Sequence, residues 1–456
     1  MKNFINCLFA ASCLFMAPSL IAQKQPPPAG GTPKDFKIPA KTTKKLPNGL
    51  RTIMVQFGEV PKATIILIIK AGNAQESSNQ VWLADLTGEM MKQGTTTMDF
   101  KTLSKKVAGM GGEVTINVGP DETTISGSVL SEFAPDLVKV IADLVINPAL
   151  PATELDRIKN DLKRNLAVQQ SVPQNQGIAK FYKAIYKDQP YGNYFPTVEM
   201  LNSYTLQMVK DFYNRNFGAK RAVLYVAGKF DGPALNNAIN KSFSKWKPGA
   251  EVLYPPETTS AVSDTMVIDR KNAPQTTIIL GLPTITPKNE DYVPSTVANA
   301  LLGGSFGSRI TSNIREDKGY TYSPRSSISN RKSGSVWFEQ ADVTAAHTID
   351  ALKEIEKEIK LLQKQPPSAK ELQGIQNYQA GIFVLMNSSP FGIINQLDFL
   401  DKYSLPDSYL TNYVKNIYKV TPAKVSEIAR NIYNYKKMTL VLVGDKDSIE
   451  KQWKGE

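Results

Sequence analysis

The chain is nearly without the side chains on which most hydrolases depend. Its 456 residues include one histidine, His347, and two cysteines, Cys7 and Cys13, both in the opening stretch. Two cysteines confined there exclude a disulfide framework and a cysteine-based zinc site anywhere downstream. One imidazole excludes every mechanism that needs two, and most Ser-His-Asp and Cys-His schemes with them. Beyond the N-terminal segment no stretch reaches the roughly 18 uninterrupted apolar residues of a membrane-spanning helix. The composition, 41% hydrophobic and 21% charged, is that of a chain able to bury a large core, and its length predicts two or more domains.

Met1-Lys2-Asn3, an apolar run from Phe4 to Ala17 and Pro18-Ser19-Leu20-Ile21-Ala22 have the charged start, short hydrophobic stretch and small final residue of a secretory signal peptide. Residues 1–22 are read as that signal, with cleavage after Ala22. Cys13 as a lipid acceptor ranks below this, because Ala10-Ala11-Ser12 is a poor lipobox. Export without disulfides or a membrane span places the chain in the periplasm, ahead of a secreted or lipid-anchored form. The net charge of +12 is carried mainly by scattered lysines, the pattern of a solvated surface, and no nucleic-acid partner is expected. Arginine is different: four of eleven, Arg309, Arg315, Arg325 and Arg331, crowd one short segment. Their planar forks suit carboxylates and carbonyls.

Residues 23–41, with three consecutive prolines and a Gly-Gly pair, read as an extended tether. Residues 247–264, with four Pro or Gly and no amphipathic period, read as a linker. The parts they bound, 42–246 and 265–456, resemble each other. Thr64-Ile65-Ile66-Leu67 returns as Thr277-Ile278-Ile279-Leu280, and Ser126-Gly127-Ser128-Val129 as Ser333-Gly334-Ser335-Val336. Glu154-Leu155 returns as Glu371-Leu372, and Val226-Ala227-Gly228 as Leu442-Val443-Gly444. Four matches in one order at a nearly constant offset predict a duplicated domain of about 215 residues. In the first copy, residues 62–69 and 221–227 read as strands and 81–92, 100–108, 132–145, 154–170 and 206–217 as helices. Pro47-Asn48-Gly49-Leu50 reads as a hairpin turn between two early strands. Without regular βαβ alternation, the expected class is α+β: in each domain a mainly antiparallel sheet with helices packed against it.

The segments 46–50, 83–95, 216–228 and above all 301–323 (LLGGSFGSRITSNIREDKGYTYS) together resemble the pitrilysin/insulinase family of zinc metallopeptidases, over most of the chain. The resemblance implies half of a clamshell. It also implies an inverted zinc motif, H-x-x-E-H, on a helix shortly before a Gly-Thr pair, two histidines on one face binding metal and the glutamate activating water. Counting back from Gly94-Thr95, this sequence has Asp85, Gly88 and Glu89 at those positions. The motif is degenerate and no zinc is expected in this chain. The helix that supplies the family's third ligand retains Glu154, Asp156 and Asp161. A residual hard-cation site from Asp85, Glu89 and one of these three competes with ordinary solvated or paired charges.

The family's other half-site is retained. Its Arg and Tyr, seven residues apart, bind substrate backbone and stabilise the oxyanion; the matching residues are Arg315 and Tyr322. Tyr320 stands where the family often has an aliphatic residue and is a secondary substrate-binding candidate. Packing or a surface ion pair is the competing role for Arg315 and Tyr322. Arg309 reads as a loop anchor, Arg325 and Arg331 as added positive potential, and His347 as an exposed or capping residue. The resemblance implies the non-zinc-binding subunit of an exported heterodimeric metallopeptidase, inactive alone. Its partner would be a homologous subunit with an intact H-x-x-E-H motif and bound zinc, and its substrates short unfolded peptides. The alternatives are a catalytically inactive peptide-binding or scaffolding protein of the same fold and a purely structural assembly subunit.

Overall fold

The computed structural model describes residues 36–256, 259 and 262–455. The expected signal peptide, 1–22, and most of the expected tether lie outside these residues. Six strands form the first sheet: β1 (Lys41–Lys45), β2 (Arg51–Gln56), β3 (Lys62–Ile69), β4 (Glu113–Val118), β5 (Thr123–Leu130) and β6 (Ala222–Gly228). Five form the second: β7 (Thr265–Asp269), β8 (Gln275–Thr284), β9 (Arg325–Arg331), β10 (Gly334–Thr344) and β11 (Thr439–Gly444). Their orders are β1-β2-β6-β3-β5-β4 and β7-β11-β8-β10-β9. Without β1 the two orders correspond strand for strand, so the sequence repeat is a repeat of topology. Pairing is antiparallel except for β2 with β6 and β7 with β11, one parallel pair at the same place in each copy.

Local chemistry accounts for the placement. β3 and β6 are almost wholly buried, as are their counterparts β8 and β11, and their β-branched runs suit strands covered on both faces. β1 (KTTKK) is exposed throughout, a lysine-rich edge that discourages further pairing. The expected hairpin joins β1 to β2 in the register Lys45 opposite Arg51, and Gly49 at φ 99° supplies the left-handed residue its turn requires.

Each sheet buries one face against helices of its own copy. The other face is covered by the other copy. The helix Pro173–Tyr186 lays Phe181, Ile185 and Tyr186 on Ile279, Val441 and Val443 of the second sheet. The helix Pro390–Tyr403 lays Ile393, Ile394 and Leu397 on Ile66, Ile68 and Tyr225 of the first. Gly177 permits the first of these contacts, since a Cβ there would stand 2.9 Å from Cγ1 of Ile279. The described residues therefore form one compact unit.

Charges are buried at this exchange. Lys402 Nζ lies 2.9 Å from Asp121 and 3.3 Å from Glu122, while Asp401 accepts from Lys70 at 2.9 Å and from Arg51. The described part of 247–264 is strapped down: Arg221 donates to the carbonyls of Ala250 and Glu251, each at 2.9 Å, and Ser333 to that of Pro255. The end of the expected tether is likewise held, with Phe36 edge-on to Phe383 at 5.1 Å. Within the expected extended tether, Phe36 and Ile38 join a hydrophobic cluster, and Lys41 already belongs to β1.

Candidate functional site: a degenerate metal helix and an arginine between two rings

The helix Leu83–Met91 carries the three motif positions. It begins two residues later than the periodicity predicts, because Trp82 adopts a left-handed φ of 67°. The carboxylate of Glu76 compensates, accepting from the backbone N–H groups of Trp82 (3.1 Å) and Ala84 (2.8 Å). Asp85 accepts from Asn73 Nδ2 at 2.7 Å. Burial pushes both carboxyls above their usual range, Glu76 further because the charge of Asp85 adds to it.

Zinc does not fit here. Glu89 shares a face with Asp85 but is paired with Lys92 at 2.6 Å. Gly88 is pressed against β4, where a Cβ would lie 2.8 Å from Cγ2 of Val118, so a glutamate there would have to move the Val118 side chain. Glu154 and Asp161 are taken by Arg157, at 2.6 and 2.9 Å. Asp156 stands almost fully in solvent, 3.8 Å from Lys159. These carboxylates each have a separate environment, and among the described residues no group of three or more His, Cys, Asp or Glu could hold a metal ion. This weighs against the residual hard-cation site considered from the sequence: lysine or arginine partners engage Glu89, Glu154, Asp156 and Asp161, and the Asn73 amide engages Asp85.

The second copy presents Arg315 and Tyr322 together. Arg315 lies on a π-helical segment, Thr311–Asp317, held to the helix Thr348–Lys364 by Asn313, which donates to Glu354 (2.8 Å) and Glu358 (2.7 Å). Thr321 is fixed to β10 through the Asp342 carbonyl at 2.7 Å, which turns the next residue, Tyr322, outward. The Arg315 guanidinium sits between two rings, 4.5 Å from the centroid of Phe306 and 4.7 Å from that of Tyr322. Its Nε is 3.0 Å from Glu316. Both rings are largely exposed, Phe306 at 68% and Tyr322 at 78%. They border an open cavity of about 560 Å³ whose wall also includes Gly303, Arg325, Gln340 and Tyr378. Behind Gly303 the carboxyl of Glu339 is fully buried, with neither oxygen hydrogen-bonded, and burial raises its pKa well above the usual range. A Cβ on Gly303 would lie 2.6 Å from that carboxyl.

The other sequence candidates are placed differently. Tyr320 does not line this cavity; its ring stacks on His347 at 4.5 Å and packs against the core of the second copy. That contact accounts for both residues, and His347 makes no side-chain capping bond although it stands at a helix start. Arg309 forms a two-point pair with Glu371 at 2.7 and 2.9 Å, which anchors its loop to the helix Ala369–Met386. Sequence reasoning missed Phe306 and Tyr378. The available signal for Phe306 was a bulky ring inside the glycine-rich Gly303-Gly304-Ser305-Phe306-Gly307.

Comparison with known proteins extends these observations. A family model for insulinase (peptidase family M16) matches residues 52–195, and one for the peptidase M16 inactive domain matches 203–378. An uncharacterised zinc protease of Rickettsia felis is 28% identical over 318 residues, 69% of this chain and 76% of its own length. Among solved structures, a peptidase M16 inactive domain from Pseudomonas fluorescens aligns with a TM-score of 0.82 at 24% identity, over 89% of this chain and 98% of that one. The periplasmic protease PqqL from Escherichia coli aligns at 15% identity with a TM-score of 0.72, over 92% of this chain but 49% of that one. The last two likenesses concern fold, and in PqqL a unit of this chain's size makes up half the molecule. Two family models in sequence order, a duplicated sheet topology and a metal helix without its ligands lead to one assignment: the chain belongs to the insulinase family of peptidases, M16, as a member without the zinc motif.

Proposed function

We propose that this chain is the zinc-free subunit of an exported two-subunit metallopeptidase, contributing Arg315 and Tyr322 to an active site whose metal is held by a homologous partner. The observation that carries this is the Arg315 arrangement: a guanidinium held between two exposed rings at the mouth of an open cavity. Such a pair has donors but neither nucleophile nor base, so it can bind and stabilise but cannot initiate hydrolysis. In this reading the planar fork of Arg315 holds a peptide carbonyl, and the Tyr322 hydroxyl donates to the oxygen that gains charge at the scissile carbonyl. The exposed rings are where a partner surface would exclude water. Short unfolded peptides are the substrates a closed two-subunit chamber admits, and the periplasm is the proposed location.

The test is to recover the native assembly through a C-terminal tag, identify what accompanies the chain and assay peptide hydrolysis with and without chelator. A companion bearing H-x-x-E-H is expected. Arg315→Ala and Tyr322→Phe assemblies should form normally and lose about 10²-fold or more in turnover, the scale of one oxyanion donor. Recovery of this chain alone, inert but able to hold peptides, would replace the proposal with a peptide-binding protein of the same fold.

A further inference from the structure

The place of the lost metal site is not filled in. A cavity of about 290 Å³ remains beside Asp85, and residues of both copies line it. Its chemistry differs from that of a metal site. One wall is aromatic: Trp82 lies edge-on to Phe195 at 6.4 Å, and Phe195 edge-on to Tyr194 at 4.8 Å. Asp85 faces the cavity from the motif helix. Opposite in charge, Arg331 at the end of β9 faces it too, its guanidinium 5.6 Å from the centroid of the Tyr182 ring. Among the described residues Arg331 has no carboxylate partner, and Asp85 has only the Asn73 amide.

A carboxylate and a guanidinium, both partly buried, border one half-enclosed space without an ion partner for either, so a ligand that bridges them would gain two charge-assisted contacts. The bridging species must carry a cationic end, an anionic end and apolar matter between for the rings. Its size is bounded by the cavity, which is small for a ligand site. We infer that this cavity binds a small zwitterion, an α-amino acid or dipeptide with an apolar side chain, its ammonium on Asp85, its carboxylate on Arg331 and its side chain against Trp82, Tyr194 and Phe195. The fork of Arg331 suits a carboxylate in two-point contact. Aromatic rings supply apolar area beside the ammonium as well as cation–π attraction. The inference does not depend on Arg315 or Tyr322 and stands if the peptidase reading fails.

The test uses the full chain. Titration calorimetry and tryptophan fluorescence would be run with leucine, phenylalanine and the dipeptide Leu-Phe, each also N-acetylated and C-amidated. Saturable binding is expected for at least one free zwitterion, weakened about tenfold or more by either block. Asp85→Asn should weaken the free ligand but not the N-acetylated form, and Arg331→Gln the free ligand but not the amide. Free amino acid against dipeptide distinguishes the two sizes. Absence of saturable binding up to about 10 mM, or affinity indifferent to both blocks, would overturn the inference. Because the blocked ligands are compared on the wild-type chain, the test remains decisive even if a variant fails to fold.

Discussion

At the residue scale Asp398, on the helix that the second copy lends to the first, departs far from ordinary behaviour. Burial raises its pKa to about 8, the charge of Glu122 adds to this, and Lys402 opposes it. Unfolded, the group titrates near the ordinary aspartate value of 3.8. Folding therefore takes up a proton between those two values, so stability falls as pH rises through that window and levels off above it. Asp398→Asn removes the charge and is expected to stabilise the protein at pH 8.5 by on the order of 2–5 kcal/mol, with the gain shrinking toward pH 4. Thermal melts across that range check this, and a gain independent of pH would contradict it. The neighbouring Asp401 is shifted the other way, held low against its burial by hydrogen bonds from Arg51 and Lys70. Legibility at this scale follows the same division. Asp85, Gly88, Glu89, Arg315 and Tyr322 could be located because motif spacing fixes position, and spacing is visible in sequence. That Tyr320 would turn to His347 while Tyr322 faced solvent depends on how residues 320–322 dock on β10, a long-range contact with no local signal.

At the element scale the two exchanged helices, Pro173–Tyr186 and Pro390–Tyr403, were not among the helices read from the sequence, although signals for them are there. Each opens with a proline at its first position, Pro173 and Pro390, and carries an apolar stripe. A stripe says that a face is buried, not against which sheet. Nothing local in the sequence marks Asp398, Asp401 and Lys402 as enclosed; the approach of Asp121 and Glu122 from the β4–β5 turn to Lys402 is a long-range contact. The edge strands β4 and β9 escaped notice for a related reason. Their partly exposed, polar-rich sequences lack the unbroken β-branched character that marked β3 and β6. The close packing of the exchange gives a direct test. Gly177→Val would drive a branched side chain into Ile279 and Val443, and the urea midpoint should fall by the equivalent of about 1–3 kcal/mol despite the better helix propensity of valine. An unchanged midpoint would show that the helix can shift away from the second sheet.

At the scale of the whole molecule the two copies cannot be separate folding units, since each sheet has one face finished by the other copy's helix. Calorimetry of the chain is expected to give one endotherm whose van't Hoff and calorimetric enthalpies agree. Two resolved transitions would show that the copies fold independently. The duplication and the α+β class were legible in full, because an internal repeat is a property of the sequence itself. Their union was not, because the segment between the copies resembles a flexible linker while the contacts that unite them lie far from it.

The reciprocal exchange also bears on the history of the chain. Once two duplicated copies have traded helices, neither can decay without taking the other with it, since Phe181 and Ile185 of the first are core residues of the second. On the proposed function, selection on the copy that carries Arg315 and Tyr322 also maintains the scaffold of the copy around Asp85. The ligands of a metal can be lost one substitution at a time, while the framework that once held them is inherited intact and left free for another use.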